Sequence, residues 1–586
     1  MTTPPDFKRR TLVKALAASS LIPLLGSNLI GCSNSSNNNS NTTDGVSSVP
    51  ADFNHGVASG DPLTDRVILW TRVTPTEEGQ VLVQWEVAED ADFTSVVGQG
   101  EGMTSADVDY TVKVDAEGLQ PGTSYYYRFM TGDKTSPLGK TRTLPQGMVQ
   151  AASFAVVSCS NYPAGFFNVY REIANQDVDA VLHLGDYLYE YAANGYASDR
   201  AEEFGRVAEP ANEIISLSDY RTRYAQYRSD ADLQAAHGNH PFIIVWDDHE
   251  IANDSWQNGA ENHNPDTEGS YAERRMAAIQ AWYEWLPVRP PATMDDIIYR
   301  RFQYGDLLDL LMLDTRHVGR DQQLQYSDFA SGGIIDVDSV RAALTDRNRS
   351  ILGSEQLGWL REQMNQSSAR WQVLGQQVLM SRYQIPSPLL EALDPGLSPN
   401  LDLGKGTAAL LAAVAAKNKA PEDRTPEEQA LLDSSVPYNL DAWDGYSAER
   451  DEILSFAQQL DSKLVVLAGD THNAWTSQLR TAEGNVAGVE FGCTSVSSPG
   501  FDGAGLLGPS NAALFGPLVV GLIDDLNYAN LVGRGYLHIA FSADNVTATH
   551  RFITTIDSTD YAEDVAAAKT FVVDRADMLL SDMLPT

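Results

Sequence analysis

Hydrophobic residues recur with two different periods along this chain, and the change falls near Pro145. From Asn54 to Leu144 apolar and polar positions alternate, as in Arg66-Val-Ile-Leu-Trp-Thr-Arg72, Val81-Leu-Val-Gln-Trp-Glu-Val87 and Ser124-Tyr-Tyr-Tyr-Arg-Phe129. A strand with one buried face has this period of two, so several short strands between Gly and Pro turns predict an all-β sandwich over residues 51–147. Beyond Pro145 the alternation gives way to unbroken β-branched or Leu-rich runs, the mark of strands buried on both faces. Four of these are Phe154 to Cys159, Ala180 to Asp186, Phe242 to His249 and Leu464 to His472; two more lead from Leu307 to Asp314 and from Trp371 to Gln377. Between them Asn168 to Asn175, Tyr271 to Trp285, Ser354 to Met364 and Ala448 to Leu460 carry apolar residues at intervals of three and four, which predicts helices. Strands and helices in alternation over 150–555 predict an α/β domain. Thr407 to Ala416 and Pro421 to Leu432 read as a helical surface insertion, and 556–586 as a C-terminal helical segment.

The polar residues at which the unbroken runs stop carry the chemistry. Cys159 ends the first, Asp186 and Tyr189 the second, Asp248 and His249 the third, Asp470 and His472 the fourth. In open α/β sheets ligands bind beyond the carboxyl ends of the strands, so runs that share a sheet bring these side chains to one place. Thiolate and phenolate are good ligands for ferric iron, whereas calcium takes hard oxygen donors, so the set describes a mixed metal site. Each residue has an ordinary explanation when taken singly. Cys159 serves as a small buried hydrophobe, Tyr189 as packing, His249 and His472 as satisfied core residues, Asp470 as a helix cap and Arg316 as an ion-pair partner of Asp314 or Asp321. These explanations must all hold at once on independent strands. His183, Cys493, Trp475 and Arg450 are read as packing, with Trp475 and Tyr446 as candidate walls of a cleft.

Composition and the N-terminus add an address and a constraint. A length of 586 residues exceeds one ordinary core, so at least two globular units are expected. Residues 1–32 read as a twin-arginine export signal, with Lys8-Arg9-Arg10-Thr-Leu-Val-Lys14 before an apolar stretch from Ala15 to Gly31. Leu29-Ile-Gly-Cys32 resembles the lipobox of bacterial lipoproteins, which makes Cys32 the expected acylation site, and the Asn/Ser-rich 33–50 segment suits a flexible tether behind it. The expected location is therefore periplasmic or extracellular and lipid-anchored. Twin-arginine export moves folded cargo, which fits a metal loaded beforehand. Of three cysteines, Cys159 and Cys493 remain; a bridge between them is weighed against a ligand role for Cys159, and the ligand role is preferred. A net charge of −38 argues against a nucleic-acid-binding surface. It also repels phosphorylated substrates at long range, so a phosphate site must supply its own positive charge. A monomer is expected.

The motifs His183-Leu-Gly-Asp-Tyr-Leu-Tyr-Glu190, Ser158-Cys159, Trp246-Asp-Asp-His-Glu250, Leu313-Asp-Thr-Arg316, Gly375-Gln-Gln377 and Gly469-Asp-Thr-His-Asn-Ala-Trp475 make the chain resemble the PhoD-like alkaline phosphatases. The likeness extends from about Phe53 to Phe552 and includes Phe53-Asn-His-Gly-Val-Ala-Ser-Gly-Asp-Pro62 and Trp443-Asp-Gly-Tyr446. Leu119 to Tyr127 resembles the corner-tyrosine strand of fibronectin type III domains. The resemblance places the chain among the calcineurin-like metallophosphoesterases and implies their β-sandwich flanked by helices, a four-layer αββα arrangement, preceded by an immunoglobulin- or fibronectin-like domain. Against that superfamily's usual blocks the chain offers Cys159 for the first Asp, Asp248 for the Asn, Gln377 for the lone His and Asp470 for the first His of the last pair. The implied ligands are Cys159, Asp186, Tyr189 and His472 for ferric iron, and Asp186, Asp248, Asp470 and Gln377 for calcium, with Gln376 as the alternative to Gln377.

Such a centre implies hydrolysis of phosphomonoesters and phosphodiesters by a metal-activated hydroxide, with release of inorganic phosphate. His249 is then the group that protonates the leaving alkoxide or stabilises charge on the phosphoryl oxygens, and Arg316 the planar fork that grips phosphate. Three other readings stand beside this one: a narrower phosphodiesterase acting on phospholipid headgroups or wall polymers, a lipoprotein that binds a phosphorylated ligand without turning it over, and a β/α barrel hydrolase, which requires eight regular βα units.

Overall fold

The computed structural model describes residues 48–291, 298–394, 396–397, 402–503 and 507–583. The export signal expected over 1–32, its Cys32, and the tether up to residue 47 lie outside the described residues.

The six unbroken runs form two parallel triplets. Ala151–Val157, Ala180–His183 and Pro241–Ile244 pair side by side in a ten-stranded sheet. Leu308–Met312, Trp371–Gly375 and Leu464–Ala468 do the same in a seven-stranded sheet, where Val486–Gly492 adds a fourth parallel strand. Period two explains why both triplets read as continuous apolar runs. Val156, Leu182 and Ile243 of one sheet share a buried cluster with Leu310, Val373 and Val465 of the other. The alternate residues Leu311, Leu374 and Val466 turn to the opposite face, where they meet Leu360 and Met364 of the Gly353–Gln366 helix and Ile453 and Leu454 of the Ser447–Gln459 helix. Between the sheets Phe154 meets Tyr304 edge-on at 5.1 Å, and Trp371 Nε1 donates to the Ser542 carbonyl at 2.7 Å. Each Leu- or Val-sized side chain buried this way contributes roughly 1.5–3 kcal/mol, and the buried polar residues on these strands have partners, Asp309 in Arg301 and Gln372 in the Met364 carbonyl. Two large sheets, rather than eight strands closed on themselves, rule out the β/α barrel.

The N-terminal strands are present as the alternation predicts, and three of them share a sheet with the strands that follow residue 150. Val57–Gly60 pairs parallel with Pro241–Ile244 and antiparallel with Arg66–Arg72, which pairs with Thr111–Glu117, so the ten-stranded sheet runs across the boundary expected between 147 and 150. The strands Val81–Ala88, Val96–Thr104, Ser124–Thr131 and Gly139–Arg142, with the short Lys134–Thr135, form a five-stranded sheet of their own. Its Val83, Val87 and Tyr127 pack on Val67, Leu69, Val112 and Val114. Arg66–Arg72 is thus buried on both faces, and Trp70 on its other side enters the main core.

At the far edge of the ten-stranded sheet one expectation fails. The described part of 556–586, up to residue 583, contains the strands Lys569–Asp574 and Leu580–Asp582, not a helical segment; the first pairs antiparallel with Asn545–Ile553. Phe571 and Val573 are buried while their neighbours are not. That alternation is brief, and the alanines at 566–568 just before it mask it with helix-forming composition. The surface insertion is helical as expected, over Leu403–Lys417 and Pro426–Asp433.

Candidate functional site

The turns that follow the parallel strands hold their side chains in strained backbone. Cys159, Asp186, Asp470 and His472 have φ of 62°, 52°, 64° and 61°. Only glycine enters this left-handed region freely; other residues pay roughly 1–3 kcal/mol each and keep it only where the surroundings impose it, typically at functional sites. Close approach of the turns is part of the imposition. A Cβ on Gly185 would lie 2.3 Å from Asp247 Cβ, and one on Gly469 would lie 2.7 Å from Ser158 Cβ. The buried Glu250 carboxylate accepts the amide N–H groups of Asp186, Tyr187 and Asp247 at 3.1, 2.6 and 2.7 Å, tying the second turn to the third.

Three groups of side chains there could each hold a metal ion, with ligand atoms within 4.8 Å of one another: Cys159, Asp186 and His472; Asp186, Asp248 and His249; Asp247, Asp248 and Asp470. The groups share members and form one continuous cluster. Tyr189 joins the first, its hydroxyl donating to Asp186 Oδ2 at 3.0 Å, lying 3.0 Å from His472 Nε2 and accepting from Ser498 Oγ at 2.6 Å. His472 Nδ1 faces the Pro499 carbonyl at 2.8 Å, which leaves Nε2 as its inward atom. The cluster therefore has a pole of sulfur, phenol and imidazole and a pole of carboxylates. Asp186 Oδ1 and Asp247 Oδ2 are buried without a hydrogen-bond partner, an arrangement that costs several kcal/mol for an ionised oxygen unless a cation completes it. The residues fit bound cations.

Charge crowding gives the same answer. Burial, with Asp248 nearby, pushes the Asp186 carboxyl up to about 7, and burial with neighbouring carboxylates pushes Asp247 and Asp470 well above the ordinary range. Burial likewise pushes up the Cys159 thiol and the Tyr189 phenol, helped by Asp186. Burial works against ionisation of Asp248, but Arg316 and His249 outweigh it and hold the group below the usual range. Burial would lower His249; Asp248, Glu190 and Asp186 win and raise it well above the ordinary imidazole value. His472 is driven down to about 4 by burial and stays neutral.

Most of the sequence-derived candidates meet here, but two do not behave as expected. Gln377 is not brought into the cluster as a ligand. Its Oε1 accepts from the Thr315 amide and hydroxyl at 3.1 and 2.6 Å, and its Nε2 donates to the carbonyls of Trp246 and Leu313. Gln376 is similarly spent, on Trp443 Nε1 and the Val378 carbonyl. Both amides knit strand ends together, a use that neighbouring glutamines after a strand do not reveal in sequence. Arg316 is fully buried and does not present a free fork: its nitrogens donate to Asp247, to Asp441 at 2.8 Å and to Asp470 at 3.3 Å. It balances carboxylates instead. Cys159 and Cys493 are both free thiols, separated by Ser158 Oγ at 3.1 and 3.4 Å. Tyr446 is buried behind the site under Arg320, and Arg450 pairs with Asp444.

Three residues escaped the sequence reading. Asp247 stands beside Asp248 in Trp246-Asp-Asp-His-Glu250, and the doubled carboxylate was the signal available. Glu190, wholly buried, lies 2.7 Å from His249 Nδ1 and is itself held by the Asn253 amide and Asn262 Nδ2 at 2.8 and 2.7 Å. Its place in Asp186-Tyr-Leu-Tyr-Glu190 was visible but not its partner. Asp441, from the loop before Trp443, holds both Arg316 and Arg320, and no local pattern marks it.

Comparison with known proteins agrees with this geometry. Residues 154–550 match the model of the PhoD-like phosphatases, and residues 39–145 match that of the PhoD-like phosphatase N-terminal domain. Alkaline phosphatase D of Bacillus subtilis (strain 168) is 37% identical over 478 residues, 78% of this chain and 71% of that protein. A solved structure of PhoD superposes with a TM-score of 0.73 at 32% identity, covering 92% of this chain and 94% of the other. The chain belongs to the PhoD-like phosphatase family and is a phosphoric ester hydrolase.

Proposed function

We propose that this chain is an extracytoplasmic, metal-dependent phosphatase that hydrolyses phosphomonoesters and phosphodiesters and releases inorganic phosphate. The observation that carries the reading is the continuity of the ligand groups: Asp186 and Asp248 each belong to two of them, so cations held there are neighbours. Donor chemistry supports ferric iron on Cys159, Asp186, Tyr189 and His472. It supports calcium on Asp186, Asp248 and Asp470, with Asp247 in the place expected for Gln377. Bound there, the cations supply Lewis acidity for the phosphoryl oxygens and lower the pKa of water toward neutrality.

The chain's own residues do the rest. Glu190 fixes His249 through Nδ1, and the proton on Nε2 is the one the departing alkoxide takes. Arg316 and Arg320 hold Asp441 and keep the crowded carboxylates in place. The double sheet with helices on its outer faces supports the αββα layering of the metallophosphoesterases, because it delivers both triplets of strand ends to one site. Lys8-Arg9-Arg10 and Leu29-Ile-Gly-Cys32 support twin-arginine export and lipid anchoring at Cys32.

The test is incubation of the mature protein, loaded with iron and calcium, with p-nitrophenyl phosphate and bis-p-nitrophenyl phosphate. Hydrolysis of both is expected. Hydrolysis of the diester alone narrows the enzyme to a phosphodiesterase, and hydrolysis of neither with metals bound refutes the reading.

A further inference from the structure

A cavity of about 360 Å³ adjoins the ligand cluster, and phosphoryl chemistry makes no use of it. Its near wall is aromatic, with Tyr438 6.1 Å from Trp475 and 6.2 Å from Phe501, ring centre to ring centre. Tyr438 and Phe501 come from loops, and Trp475 from the start of the strand Ala474–Arg480 that follows the last ligand turn. Trp475 Nε1 donates at 2.8 Å to Thr471, which stands between Asp470 and His472. Asn439 accepts the amide N–H of Asp441 at 2.8 Å, and Phe501 follows two residues after Pro499, the carbonyl partner of His472. Beyond the rings the wall turns aliphatic, with Leu389, Leu390 and Leu393 from Ser387–Leu393 and Val519 from Pro509–Leu522. That second helix contains no charged residue, and its Leu514 is 66% exposed.

This gradient selects among phosphate esters. A sugar or nucleoside in the cavity would leave its hydroxyls unpaired, at roughly 1–3 kcal/mol each. Asp394 and Asn439 are the non-aromatic polar residues of the lining, and the Tyr383 hydroxyl is spent on Ser477 and Glu490. A polyanionic polymer would find no Lys or Arg among the described residues of that lining. A hydrocarbon chain, by contrast, gains from every methylene it buries. We propose that the cavity takes the hydrocarbon arm of an amphiphilic phosphate ester, whose phosphoryl group lies at the carboxylate cluster while the arm enters past Tyr438 and Trp475 between the two helices. The proposal rests on the phosphoesterase reading above.

The experiment uses the metal-loaded full chain and p-nitrophenyl phosphodiesters with methyl, butyl and octyl second arms, each below its micelle concentration. kcat/KM is expected to climb about fourfold per added methylene until the cavity is filled. Val519→Trp, which fills the cavity from a half-buried helix position, is expected to flatten the series and leave the methyl ester unchanged. A flat or falling series in the unmodified protein overturns the proposal whatever the variant does. If none of the three diesters nor p-nitrophenyl phosphate is hydrolysed, the phosphoesterase reading has failed, and the cavity is judged by calorimetric binding of octyl against methyl methylphosphonate. Octyl binding at least about tenfold tighter supports the cavity assignment, and equal binding overturns it.

Discussion

At the scale of the residue, Arg316 separates two accounts of how this site manages charge. An acidic protein needs a cation near its phosphate site, and a strand-end arginine was the natural candidate. The structure spends its guanidinium on Asp247, Asp441 and Asp470, inside a cluster whose carboxylates burial already disfavours as ions. Removing one partner of a buried charge network strands the others, at roughly 3–5 kcal/mol. Arg316→Met is therefore expected to lower the unfolding midpoint of the metal-free protein sharply, with added iron and calcium restoring part of the loss; thermal melts with and without metal measure it. Unchanged stability with a raised KM would instead mark Arg316 as a phosphate grip. Cys159, Asp186, Asp248 and His472 were legible in the sequence because strand-end position is a local property. Gln377 misled because which atoms an amide satisfies depends on Thr315, 62 residues away.

At the scale of the element, the turns matter more than the strands that feed them. Gly185 combines φ of +109° with a neighbour that leaves no room for a Cβ, so Gly185→Ala must push Asp247 out of register. The expected cost is about 3–5 kcal/mol, from overpacking and backbone strain together, with activity down more than tenfold. Gly205, with φ of +66° and nothing near its Cβ position, supplies the comparison: Gly205→Ala should cost only about 1 kcal/mol and spare activity. Equal effects in urea melts would show that local φ strain, not the approach of the two turns, sets the cost. The parallel strands announced themselves by unbroken apolar runs. Lys569–Asp574 did not, because a strand of six residues beside three alanines has too little pattern to outweigh its composition.

At the scale of the whole molecule, pairing between Val57–Gly60 and Pro241–Ile244 joins the N-terminal strands to the catalytic sheet. No local period could reveal this, because pairing between Ser59 and Pro241, 182 positions apart, leaves no trace in either segment. The large core also buries histidines that belong to none of the candidate metal groups. Burial drives His55, His183 and His550 down to about 3, each below its ordinary 6.5. The unfolded chain then takes protons before the folded one, so this contribution is complete above pH 6.5 and is lost as pH falls toward 3, by about 2 kcal/mol per histidine at pH 5. Glu490 and Asp254, each pushed up to about 7, and Glu250, pushed well above its ordinary range, oppose the trend, while His237 and His317, driven well below theirs by burial, reinforce it. The unfolding midpoint of the metal-loaded enzyme is expected to fall steadily between pH 6.5 and 5; a flat midpoint there would contradict neutral burial of these rings.

The central claim is that the sulfur-phenol pole and the carboxylate pole hold two kinds of cation and that hydrolysis depends on them. Elemental analysis of freshly purified active enzyme, repeated after stepwise chelation with activity measured on each sample, tests it most directly. The account predicts iron and calcium in every active sample, with activity falling in proportion as either is removed. A fully active sample free of both metals would contradict it.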